Sequence, residues 1–416
     1  MPRRLSLACL ALALTLTLAH GADWPRFRGP NGTGSADGPL PDIDPKKPLW
    51  KVSLPGNKGV GSPIVVGGRV YVQSATPDAK ARLLLCLDAS TGKTEWTKEV
   101  PGDKSKGKSD PHAKNSYASG TPACDGTQLY CAWWDGGAVS LAAYDLKGEE
   151  KWQVSLGGYK SQHGPGFSPM VHDGLVFVNV DDDERAELVA FDAKTGQKKW
   201  IAPRKSHRAC YSTPFILQRP GRPAELLLGT TTAVTSYEPA TGKVNWEHPV
   251  AWPKGEMPLR VIGHPVYAGG LLIVYSGDGS GARYMLAIDP DKKEPAKVWE
   301  LKKKDTPYVP CVLPQGDRLL WIGDKGTVTC ADAKTGKVVW AESVFENASV
   351  SASPILIGDK LLVVSERGEV AVVKAGEKFE EVSKAPLGEP AFATPAFADG
   401  RAYVRTVTSL YCFGKK

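Results

Sequence analysis

The chain has 416 residues, of which 42% are hydrophobic and 23% charged, with a formal net charge of +7. That hydrophobic share supports a large core and excludes a disordered chain. Lysines and acids alternate without a basic stripe, so the charge gives no footprint for a nucleic-acid partner.

Residues 1–21 read as a secretory signal peptide. Arg3 and Arg4 give a positive start, "LSLACLALALTLTLA" gives the apolar stretch, and "AHG" offers small residues for cleavage. No second stretch is long enough to span a bilayer, so no integral membrane segment is expected. The mature protein is predicted to be exported, either periplasmic or extracellular.

An N-terminal arm follows, residues 22–49, rich in Gly and Pro. From residue 50 to 416 one pattern recurs. A Ser/Thr-Pro-type pair opens an apolar run, a glycine turn follows, and a second apolar run returns. The starts are Ser62, Thr121, Ser168, Thr213, His264, Val309, Ser353 and Thr394. Proline suits the first residue of a strand, where a missing N–H is tolerated. A third apolar run ends in a turn such as "DASTG" or "DAKTG", and a fourth strand carries a tryptophan. Trp96, Trp152, Trp200, Trp246, Trp299 and Trp340 fill that place, and Phe379 takes it in the seventh unit.

The eighth unit ends at Phe413 without a fourth strand, while Trp50 stands ahead of the first unit with no upstream partners. The strand around Trp50 is therefore predicted to complete the last sheet and close a ring. The expected fold is all-β, an eight-bladed β-propeller of four-stranded antiparallel blades. A seven-bladed ring would require the unit at Val309 to be an insertion, and "GTVTCADAKTGKVVW" follows it in full. The arm is expected to lie across the outside of this ring, with a flexible tether as the alternative. The ring needs no second copy, and a monomer is expected.

The "TGKT" at residues 91–94 is not a phosphate-binding loop. Such a loop needs a glycine five residues before Gly92, where this chain has Leu87, and the motif recurs as a structural repeat. Seven cysteines lie beyond the signal, an odd number. Cys86, Cys330 and Cys412 read as buried core, whereas Cys124 and Cys131 flank "DGTQ" and are placed to bridge a hairpin.

The tandem "DAKTGKVVW" pattern resembles the quinoprotein-like repeat of pyrroloquinoline-quinone alcohol dehydrogenases. It also resembles the propeller subunit of the bacterial outer-membrane assembly machinery. "DWPRFRGPNGTG" and "HAKNSYASGTP" are similar to exported quinoprotein-like repeat proteins of environmental bacteria. The dehydrogenase resemblance implies pyrroloquinoline quinone with calcium, an adjacent Cys-Cys ring and a catalytic Asp. This chain has no Cys-Cys dipeptide. No cofactor is therefore supported, and no catalytic residue is assigned. Trp133 and Trp134 suit either a planar ring or a strand end.

The loops leading into the units are irregular and polar. They are expected to gather His112, Asn115, Tyr117, His163, His207, Arg208, Arg260, His264 and Tyr308 at the channel mouth. There they would either fill the channel or form a pocket for an anionic small molecule or peptide. The "TG" turns fall on the opposite face. Asp181, Asp182 and Asp183 are weak candidates for a metal site, with a solvated charge run as the alternative. The function expected is a non-catalytic exported scaffold binding a protein, peptide or cell-envelope partner. The alternative is a quinone-dependent oxidoreductase or a relative that keeps the cofactor.

Overall fold

The computed structural model describes residues 23–56, 59–76, 81–101, 111–205, 208–250, 259–279, 281–292, 294–302 and 306–415. The signal segment and His207 lie outside the described residues.

Short apolar runs separated by Gly turns build eight sheets, each with a four-stranded antiparallel blade, and the seventh gains a fifth, parallel strand from the arm. The innermost strands are two or three residues long, from Ile64–Val66 in blade 1 to Ala396–Ala398 in blade 8. Blade 8 holds three strands from the C-terminus, and its fourth is Trp50–Ser53. That strand runs antiparallel to Ser409–Phe413, with Trp50 opposite Cys412 and Ser53 opposite Ser409. The ring closes as the sequence predicts. One unit is shifted. The sixth innermost strand is Leu313–Gln315, so Cys311 holds the place expected for Val309, and Val309-Pro310 belong to the leading loop.

The repeated turn is organised by its aspartate. Asp88 Oδ1 accepts the Ser90 and Thr91 N–H groups at 3.0 and 2.8 Å and the Thr91 hydroxyl at 2.8 Å. Asp192 and Asp332 hold Thr195 and Thr335 in the same way. The tryptophan of one blade then clasps the turn of the next. Indole N–H groups donate from Trp50 to Ala89 O, Trp152 to Ala193 O and Trp299 to Ala333 O, at 3.2, 2.9 and 2.9 Å. Blade 5 has no "TG" turn to offer. Trp246 instead donates to Glu225 Oε2 at 2.8 Å, on a carboxylate ion-paired with Arg219.

The arm does not lie across the outside. It runs into the channel and meets the free edges of innermost strands. Trp24 exchanges backbone hydrogen bonds with Val65 at 2.8 and 2.9 Å, and Cys124 N–H donates to Pro25 O at 2.8 Å. Asn31 Nδ2 donates to Ile216 O at 2.8 Å. Ser35–Ala36 then add to blade 7, parallel to Leu356–Ile357. The physical reason is that an innermost strand has one unpaired edge, and the arm supplies partners for those buried N–H and C=O groups.

All seven described cysteines are free and buried. The bridge expected between Cys124 and Cys131 is absent because the hairpin register sets Cys124 opposite Leu129.

Gly92 has φ +73°, and a Cβ there would stand 2.7 Å from the Trp50 ring. Gly400 has φ +68° with nothing within 4 Å of the added carbon. Gly400→Ala should therefore cost about 1–2 kcal/mol from backbone strain alone. Gly92→Ala should cost a further ~1–3 kcal/mol from overpacking the clasp. Urea denaturation of the two variants checks the difference, and equal losses would contradict the clasp.

Candidate functional site

Each innermost strand is preceded by its start residue, and the backbone at these starts is linked around the channel. Ser62 N–H donates to Thr121 Oγ1 at 3.1 Å and Thr121 N–H to Ser168 Oγ at 3.0 Å. Across the ring Cys311 N–H donates to Ser353 Oγ at 2.9 Å and Ser353 N–H to Thr394 Oγ1 at 3.0 Å. Thus the Ser/Thr of the repeat is a blade-to-blade link as well as a strand opener. These residues surround an axial cavity of about 130 Å³. Phe27 of the arm lines it together with Tyr211, Ile262, Val309 and Phe392.

None of the described mouth candidates lines that cavity. His264 is buried. Its Nε2 meets Arg28 Nη1 at 2.9 Å, and its Nδ1 meets Pro265 O at 2.8 Å. A guanidinium can only donate, so Nε2 accepts and the proton sits on Nδ1. Burial, reinforced by the Arg28 charge, holds the imidazole pKa down to about 3. Arg28 is fully buried and also donates to Thr33 O and Val312 O at 3.0 and 2.8 Å. His264 is therefore an anchor for the arm and not a mouth residue, which corrects the sequence expectation.

The other described candidates spend their groups on neighbouring loops. The His112 and His163 rings meet edge-to-face at 4.7 Å. Asn115 Nδ2 donates to Pro165 O at 3.1 Å, and Tyr117 stacks on Trp134 at 5.0 Å. Arg208 pairs with Asp278 at 3.5 Å. Arg260 is buried, exchanges backbone hydrogen bonds with Gly277, and hydrogen-bonds the Tyr308 hydroxyl. Tyr308 carries the Arg283 guanidinium over its ring at 5.0 Å. Burial lowers the His163 pKa to about 4, helped by the charges of Arg260, His112 and Arg208. These groups form a charge-paired, hydrogen-bonded network, with Arg208 on Asp278 and Arg283 on Asp324. His207 falls outside the described residues.

The three aspartates diverge. Asp181 is fully buried and ion-paired with Arg204. Asp182 Oδ1 caps its own turn, accepting the Glu184 and Arg185 N–H groups at 2.8 Å each. Asp183 Oδ1 accepts Ala209 N–H at 2.8 Å. Three carboxylates turned to three separate partners do not form a metal cradle. Among the described residues no group of three or more His, Cys, Asp or Glu is placed to hold a metal ion.

A planar quinone fares no better. Trp133 is 1% exposed and donates to Tyr144 OH at 3.1 Å, and Trp134 already stacks on Tyr117. Neither indole offers a free face. The residues present do not fit the quinone and calcium that the resemblance implies, and no chemistry is routed through them.

The family described as outer membrane protein assembly factor BamB matches residues 36–163, 108–342 and 324–413. The outer membrane protein assembly factor BamB of Burkholderia pseudomallei is 25% identical over 329 residues, covering 77% of this chain and 75% of that protein. The crystal structure of BamB from Moraxella catarrhalis superposes with a TM-score of 0.63 at 14% identity, covering 89% of this chain and 99% of the other. The quinohemoprotein alcohol dehydrogenase of Comamonas testosteroni superposes at 0.66 with 15% identity, covering 96% and 82%. At such identities the two structural likenesses show the fold alone. No helix among the described residues is long and apolar enough to cross a membrane.

His264 generates a pH prediction. Its folded pKa of about 3 lies below the ordinary value of 6.5, so between these values the unfolded chain binds a proton that the folded chain does not. Its contribution is fully present above about pH 6.5 and is lost on acidification, at up to ~1.4 kcal/mol per pH unit. Denaturant titrations between neutral and mildly acidic pH should show a shallower slope for His264→Gln. Parallel slopes for the two proteins would contradict the buried neutral imidazole.

Proposed function

The chain belongs to the outer membrane protein assembly factor BamB family, and from that membership we propose a non-catalytic scaffold that binds a protein partner in the cell envelope. The observation that carries the reading is the fate of the polar residues singled out from the sequence. His264, Asn115, Tyr117, Arg208 and the three aspartates each have an internal partner. They hold loops and arm in place and form no nucleophile–base pair. What the ring then offers is a broad, shaped loop face. The signal-like segment at 1–21 supports export, which puts the scaffold where envelope partners are. Outer-membrane protein assembly is the process that the family description suggests for it.

The loop face is the proposed docking side. Its leading loops differ from blade to blade, whereas the opposite face repeats one Asp-capped turn in blades 1, 3 and 6. Specific recognition is better served by distinct side chains than by a repeated turn.

Site-specific photocrosslinking in the native envelope tests this. A crosslinker at exposed His112 should capture a component of the outer-membrane assembly machinery, and one at exposed Lys93 should not. Capture from Lys93 alone would reverse the face. Turnover of alcohols by the purified protein with added pyrroloquinoline quinone, calcium and an electron acceptor would overturn the non-catalytic reading.

A further inference from the structure

Two arginines occupy the same place in different blades. Arg82 is the second residue of the third strand of blade 1 (Ala81–Asp88), and Arg283 is the first of that of blade 5 (Arg283–Asp289). Each stands at the same distance before the Asp that ends its strand. Each faces an aspartate just after the second strand of the following blade, Asp135 or Asp324. Between blades 5 and 6 the two groups meet, and Arg283 is ion-paired with Asp324. Between blades 1 and 2 they do not, since no ion pair joins Arg82 to Asp135. A groove of about 480 Å³ opens there, lined by Arg82, Pro101, Asp135, Ser140, Gln153 and Ser155 among others.

The arginine is held but not satisfied. Arg82 is 5% exposed, its Nη2 donates to Pro101 O, and its guanidinium lies 5.9 Å from the centre of the Trp133 ring. Its Nε is buried with no acceptor. Asp135 is held by its own turn, with Oδ1 accepting Gly137 and Ala138 N–H at 2.9 and 2.7 Å. Gln153 Nε2 reaches Ser140 Oγ at 3.2 Å on the groove wall. The fixed groups are thus a planar donor and a planar acceptor, with neutral amide and hydroxyl groups beside them. One cation and one anion leave the groove without net charge, which disfavours a charged ligand. The volume falls within the range of small-molecule sites, roughly 300–1,000 Å³.

We propose that the groove between blades 1 and 2 binds a saccharide, whose neighbouring hydroxyls accept from Arg82 and donate to Asp135. A sugar carries donor and acceptor on each hydroxyl, so one hydroxyl can accept from Arg82 Nη1 while its neighbour donates to Asp135 Oδ2, the atoms that Pro101 and the 137–138 turn leave open. The ligand takes the place of the direct contact that Arg283 and Asp324 make elsewhere in the ring. The site is separate from the axial cavity and does not depend on the scaffold reading.

The test is calorimetric titration of the full chain with glucose, maltose and N-acetylglucosamine, alongside cosedimentation with washed peptidoglycan. Saturable binding of a free sugar, or retention by the polymer, is expected and tells the two glycan sources apart. Arg82→Gln and Asp135→Asn should each weaken it at least about tenfold. If Arg82→Gln fails to fold, Gln153→Ala and Ser140→Ala, altered on the groove wall, read the same loss. Absence of binding in both arms, or an affinity unchanged in every folded variant, would overturn the proposal and leave a groove filled by ordered water only.

Discussion

The ring depends on one contact repeated around it, the indole of an outer strand laid over the turn of the following blade. A sheet twists, and eight twisted sheets arranged radially splay apart toward the rim. The tryptophan fills that widening gap with a large apolar surface, and its N–H fixes the turn at a set distance. The contact explains three sequence features together. The turn needs glycine because the ring lies on its Cα, it needs aspartate because its N–H groups must be held in place, and Trp50 must come first because blade 1 also needs a neighbour to clasp it.

Interruptions of the rule are informative. Blade 5 offers no regular turn to blade 4, and the indole of Trp246 turns to Glu225 within its own blade. That carboxylate also accepts the Ser236 hydroxyl at 2.6 Å and pairs with Arg219, which reaches on to Asp291 in blade 5. A polar network thus stands where a carbonyl stands elsewhere. It still joins the two blades, through ions in place of an indole and a glycine.

The blade count and the closing strand were legible because both are carried by repeated side chains at regular spacing. The sixth start was read two residues early because a cysteine, Cys311, replaces the usual hydroxyl while Val309-Pro310 imitates the pair. The arm was misplaced for a different reason. Its partners are backbone groups of Val65, Cys124 and Leu356, and a free strand edge leaves no mark in composition. The roles of the candidate mouth residues were not legible. Sequence cannot tell that Arg28, far off in the chain, is the partner of His264, or that Arg204 answers Asp181. Tyr211, which lines the axial cavity, was missed although it stands just ahead of a recognised start.

The pairing of Trp50–Ser53 with Ser409–Phe413 has a consequence for the order of assembly. The two strands are almost the whole chain apart, so the loop they close is long and forms slowly. Until the final residues are available, the molecule is an open arc with raw edges at blade 1 and blade 8. The arm changes this. Its contacts span blades 1, 2, 4 and 7, so it ties both ends of the arc to one segment independently of the closing strand. A segment that precedes the first blade thereby braces the ring across its seam.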